Sequence, residues 1–158
     1  MLRFAATRIS DAPAVQRLAN SIEANGQLVE CVAAGQAADV GLVLIDGYQR
    51  VEAARRAGID TLKAQIWPQP APDAVCQLLA SDGARQLDVL GQAGLLGEVK
   101  LTHRMSQNEM ALRMGRHPSW VSRRLMIIEQ LPEAVLEAVR ASRCATASSA
   151  GWESDEAP

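Results

Sequence analysis

Two stretches concentrate the side chains that could do chemistry. The first is Asp46-Gly47-Tyr48-Gln49-Arg50, between the aliphatic run Leu42 to Ile45 and a segment with Val51, Ala54 and Ala57 on one helical side. A strand that passes through a glycine into a helix aims the first helix amides at the turn, and the macrodipole favours an anion there. Gly47 would let a ligand approach the backbone, and Arg50 adds a fixed charge with bidentate geometry. The same residues also fit a tight turn whose arginine pairs with Asp46 or Glu52.

The second stretch is Met105 to Leu125. Ser106-Gln107-Asn108-Glu109 has the form of a capping box, a serine followed three residues on by a glutamate. Met110, Ala111 and Met114 lie on one face of the helix it opens, and Gly115 suits the left-handed turn that ends it. Pro118 fits the first turn of a second helix, where Val121, Leu125 and Ile128 recur on one side. Two short helices joined by a glycine turn predict a helix-turn-helix over about 106–126, whose second helix can enter a DNA major groove. Candidate DNA-binding residues are Arg104, Gln107, Arg116, His117, Ser119, Ser122, Arg123 and Arg124, because serines and arginines bond phosphates and base edges. An ordinary helical hairpin with a solvated basic face is the alternative. Trp120 has two readings: stacking on the DNA backbone, with Arg124 one turn on giving a cation–π contact, or packing against the preceding helices, which is the favoured one.

These stretches need elements to hold them. Asp11-Ala12-Pro13 predicts a helix start, with Val15, Leu18, Ala19 and Ile22 as its stripe and Asn25-Gly26 as its end. Leu28 to Ala33, Leu42 to Ile45 and Thr61 to Trp67 read as strands, and Leu2 to Phe4 as a further short one. Pro68, Pro70 and Pro72 mark a linker. Beyond it, helices are expected at Asp73–Ala80 and Ala84–Gly94, with Leu95 to Leu101 leading into the helix-turn-helix and a last helix after Pro132. The expectation is an α+β chain: a small mixed domain over 1–68, a helical domain over 72–143, and a disordered polar tail over 144–158.

Composition narrows the class. The net charge is −2, but residues 1–99 carry −3, residues 100–143 carry +4 and the last fifteen carry −3. The positive balance thus falls on the segment expected to meet phosphates, whose attraction acts over about 8–10 Å in ordinary salt. With five aromatic residues in 158, the core must be aliphatic. The three cysteines are scattered and have no nearby histidines, which argues against a disulfide frame or a zinc site. No apolar run suits a membrane span and no signal-peptide pattern opens the chain, so the expected compartment is cytoplasmic.

The order of these parts resembles a family. LANSIEANGQLVECVAAG, then VLIDGYQRVEAARRAGIDTLKAQIW, then SWVSRRLMIIEQLPEAV, together spanning about residues 10–140, look like the ParB chromosome- and plasmid-partition proteins. The resemblance implies a ParB/sulfiredoxin-like N-terminal domain that binds CTP with Mg²⁺, followed by a KorB-like helix-turn-helix that binds a palindromic duplex site. The family's GxxRxxA phosphate motif maps onto Gly47, Arg50 and Ala53, with Tyr48 and Gln49 inside it. Its ENxxR motif falls on Ser81 to Arg85, where only Arg85 matches. Gln49 removes one arginine of the usual tandem pair. Ser81 stands where the family has a glutamate linked to hydrolysis, and Asp82 replaces an asparagine near magnesium, leaving a carboxylate as a candidate ligand.

The resemblance therefore implies a nucleotide-responsive DNA-binding protein of partition or of a mobile element, nucleoid- or plasmid-associated. A partition ATPase and a weak or conditional homodimer are its expected partners. The resemblance stops before the family's C-terminal dimerisation domain, so the expectation is a short family member, an accessory protein of a mobile element or a truncated chain. Three other readings remain: a transcriptional repressor without nucleotide, a weak CTPase, and an adaptor that recruits a partner. Sulfiredoxin chemistry would need a cysteine in the turn, where Tyr48 and Gln49 stand. A metal nuclease would need clustered Asp, Glu and His, and the two histidines, His103 and His117, flank the DNA-reading segment instead.

Overall fold

A computed structural model describes residues 12–35, 41–81, 87–130, 132 and 134. The strand expected at Leu2–Phe4, the Asp11 cap, Asp82, Arg85, the helix after Pro132 and the tail lie outside the described residues. Among those described, six helices and one three-stranded sheet form the expected α+β fold.

Helix α1 (Ala12–Asn25) buries Val15, Ala19 and Ile22 of its predicted stripe and leaves Leu18 half-buried. Strand β1 (Cys31–Ala34) pairs antiparallel with β2 (Val43–Asp46) and parallel with β3 (Ala64–Trp67), giving the order β2-β1-β3. Helix α2 (Tyr48–Arg56) makes the crossover from β2 to β3. Strands β1 and β3 start later than their aliphatic runs suggest. Leu28 and Val29 are exposed and outside β1. Gln27 accounts for this: its amide nitrogen donates to the Val29 and Lys63 carbonyls, and its oxygen accepts from the Lys63 amide (2.6 Å). The side chain takes backbone groups that a longer ladder would have used.

Helix α3 (Ala71–Ala80) begins after Pro70 and buries Ala74, Val75, Cys76, Leu78 and Leu79. Helix α4 (Val89–His103) is continuous, and neither Gly94 nor Gly97 ends it. Asp88 caps it by accepting from the Gly91 amide at 2.6 Å. Helices α5 (Gln107–Met114) and α6 (Pro118–Gln130) follow. One core joins Ala34 and Ile45 of the sheet to Val75, Leu79, Leu95, Leu96, Met110 and Leu125. A second, smaller cluster of Val15, Ala19, Ile22 and Ala53 fastens α1 to α2. The sheet, α3 and the last three helices thus share buried surface.

Candidate nucleic-acid interface and anion site

Local chemistry builds the α5–α6 pair. Ser106 Oγ accepts from the Glu109 amide at 3.2 Å, and the Glu109 carboxylate accepts from the Ser106 amide at 2.8 Å, so two helix-end donors are satisfied reciprocally. Bonds from the Ser106 hydroxyl and amide hold the Glu109 carboxyl below its ordinary pKa. Gly115 adopts φ 61°, and the Arg116 amide reaches back to the Ala111 carbonyl at 2.9 Å, the six-to-one closure of a Schellman turn. Met110, Ala111 and Met114 from α5 meet Val121 and Leu125 from α6. Each large apolar side chain fully buried there contributes about 1.5–3 kcal/mol.

With Val121 and Leu125 turned inward, α6 exposes Ser119, Arg123 and Met126, while Ser122 is half-buried. Arg116, His117 and Arg104 are also exposed, and Gln107 is half-buried in the first turn of α5. Arg123 donates from Nε to the Ser119 carbonyl, which lays its side chain back along the outer face. His117 is tied into the start of α6: its Nδ1 accepts from the Ser119 amide at 3.2 Å and lies 2.8 Å from the Ser119 hydroxyl. That capping role was not visible from residue type alone.

Arg124 lies elsewhere. Its Nε donates to Gln92 Oε1 on α4 at 2.7 Å, and its guanidinium carbon sits 3.5 Å from the Trp120 ring centroid. Arg116 approaches the same ring at 5.5 Å. Partial burial lowers the Arg124 pKa, and the charges of Arg116 and Arg123 lower it further. The sequence-level candidates thus separate into an exposed set and an arginine bound to the helix behind. Trp120 is half-buried, and its ring lies against the Arg124 guanidinium. Gln92 went unnoticed in the sequence; a lone amide within the small, apolar stretch GQAGLLG was the available signal.

At the other stretch, Gly47 begins α2 with φ 101° and no side-chain cap. Arg50 Nη2 lies 3.2 Å from Asp46 Oδ2, so of the two carboxylates considered Asp46 is the partner; Glu52 pairs with Arg56. Arg50 Nε is buried and has no hydrogen-bond partner among the described residues. A donor in that state suits an oxyanion. Tyr48 directs its hydroxyl onto the Leu44 carbonyl at 2.6 Å, and Gln49 is exposed. Ala53 is fully buried in the α1–α2 cluster, so a small residue is required there by helix packing. Among the described residues no group of three His, Cys, Asp or Glu could hold a metal ion, and no helix is long and apolar enough to cross a membrane.

No family model matches the chain, and no curated protein matches it. Among solved structures it is similar to the C-terminally truncated chromosome-partitioning protein ParB from Caulobacter crescentus complexed to the centromeric parS site. That likeness has 20% identity and a TM-score of 0.45, covering 85% of this chain and 70% of that one. A second structure of the same protein, complexed with CTP-γ-S, is similar at 20% identity and a TM-score of 0.41, covering 90% and 83%.

Proposed function

We propose that this chain binds duplex DNA through α5 and α6, acting as a helix-turn-helix, under the control of a nucleotide held at Gly47 and Arg50. The observation that carries the DNA reading is the division of α6 into two faces. Val121 and Leu125 are fully buried, while Ser119 and Arg123 stand exposed opposite them, with Arg116 and His117 at the turn. A helix held by one face and presenting arginine and serine on the other suits entry into a major groove. Arg123 is assigned to base edges, and Arg116 and Arg104 to phosphates. Fluorescence anisotropy of labelled duplex DNA at several salt concentrations tests this. Binding with a negative log–log salt slope is expected; no binding at low salt contradicts it.

The nucleotide reading is supported by the unpartnered Arg50 Nε, the uncapped helix start at Gly47 and the motif-level resemblance to ParB. CTP is the favoured ligand on that resemblance, with Mg²⁺ accompanying the triphosphate and Asp82 its candidate protein ligand. Asp46 already pairs with Arg50, so a phosphate must share or displace that carboxylate. Ser81 donates its hydroxyl to the Leu78 carbonyl, and with no carboxylate at that position we expect binding with little or no hydrolysis. Calorimetric titration with CTP, GTP and ATP in the presence of magnesium separates this from a purely structural turn, which would give no heat. A division into domains at 1–68 and 72–143, association with a partition ATPase, pairing of two copies on DNA, and residence on a nucleoid or plasmid belong to the same proposal.

A further inference from the structure

We propose that Gln92 is a positioning residue for DNA binding, one that holds Arg124 against α4 and, through Trp120, sets Arg116 toward the phosphate backbone; this rests on the DNA reading above. Gln92 is the one polar side chain buried among the described residues, at 9% exposure, between the buried Gly91 and Ala93. A buried amide is costly unless both its ends are bonded. Here both are. Its nitrogen donates to the Leu87 carbonyl at 3.0 Å, and its oxygen accepts from Arg124 Nε at 2.7 Å. A carbonyl can only accept, so Leu87 fixes which end of the amide is the donor, and the oxygen must face α6.

From Arg124 the order passes outward. Its Nη1 donates to the Trp120 carbonyl one turn back at 3.3 Å, and its guanidinium covers the Trp120 ring, which Arg116 approaches in turn. Arg116 and Arg123 both repel Arg124 on this patch. A neutral acceptor holds Arg124 in place without cancelling its charge, so the full positive field remains available to DNA. A glutamate at position 92 would hold the arginine and neutralise it.

A double-mutant cycle on duplex affinity tests the role, with Gln92→Met, Arg124→Met and the double variant, each checked for folding by thermal melt. Each single change is expected to weaken binding by about three- to tenfold, and the double variant to be no weaker than Arg124→Met alone. In the DNA-free protein, the Arg124 Nε–Hε resonance should be protected from water exchange and lose that protection in Gln92→Met. Additive losses, or wild-type affinity in a folded Gln92→Met, overturn the inference while leaving the DNA reading intact. Wild-type protein that binds no duplex overturns the DNA reading itself, and this role with it. Should Gln92→Met not fold, Arg124→Met and Trp120→Leu run the same cycle, with non-additive losses expected and additive ones overturning it.

Discussion

Arg104 is the one non-glycine residue with a left-handed backbone among those described, at φ 52°. An L-residue there costs about 1–2 kcal/mol relative to glycine. Arg104→Gly is therefore expected to raise the thermal midpoint while weakening duplex binding and flattening the salt slope by about one phosphate contact. A variant that gains stability and loses no affinity would show that Arg104 does not touch DNA. Burial pushes the Cys76 thiol up to about 11. Native protein should accordingly leave Cys76 unalkylated by iodoacetamide at pH 8, and unfolding should expose it. Glu109 titrates in the opposite sense. Because Ser106 lowers its folded pKa, its contribution is present above the ordinary glutamate value and is lost as pH falls through the lower folded one. A carboxyl chemical-shift titration should place its midpoint below that of an unstructured glutamate. Residue type alone found the exposed Ser119 and Arg123 but could not separate them from Arg124, because neighbours in sequence point about 100° apart on a helix and only packing shows which one meets α4.

Elements were more legible than their limits. Capping box, glycine turn and apolar spacing defined α5 and α6 because each is a local rule with a local cause. Gly94 predicts a helix end by its residue type, yet α4 runs on to His103. In the fold, Gly97 faces Ile128 of α6, and a Cβ there would fall 2.3 Å from its Cδ1. The glycine serves a helix crossing, which no single-segment pattern records. Gly97→Ala meets only the end of a side chain that can rotate, and it gains about 1 kcal/mol of helix propensity, so its melt should shift little. Gly97→Leu should separate α4 from α6 and lower Tm. Gly47 behaves differently. Its φ of 101° resists any Cβ, and one would lie 2.6 Å from Cys31 Sγ and 3.0 Å from Cys31 Cβ. Gly47→Ala should destabilise by about 1–3 kcal/mol through this junction. Loss of nucleotide binding in that variant would therefore not identify a ligand contact, whereas Arg50→Ala tests the site without disturbing β1.

At the scale of the molecule, the shared core is what could carry a signal between the two stretches. Ala34 and Ile45 of the sheet lie in one cluster with α3 to α6, and the Arg113–Asp73 pair ties α5 to α3. Burial across the Pro68–Pro72 stretch was not legible from composition, because prolines mark a turn in the chain without saying whether surfaces on either side meet. Pro72 itself is buried at the start of α3. If nucleotide and DNA are coupled, each must change the other's affinity by the same factor. Calorimetry with CTP, with and without saturating duplex, should show a shifted Kd in wild type and no binding in Arg50→Ala. Selection from a random duplex library by wild type and by Arg123→Ala tests DNA reading by α6 most directly. Wild type is expected to enrich one site. Arg123→Ala should lose about 1–3 kcal/mol on that site and relax its preference at one base position. No enrichment by wild type, or an identical site and affinity for Arg123→Ala, would contradict the account.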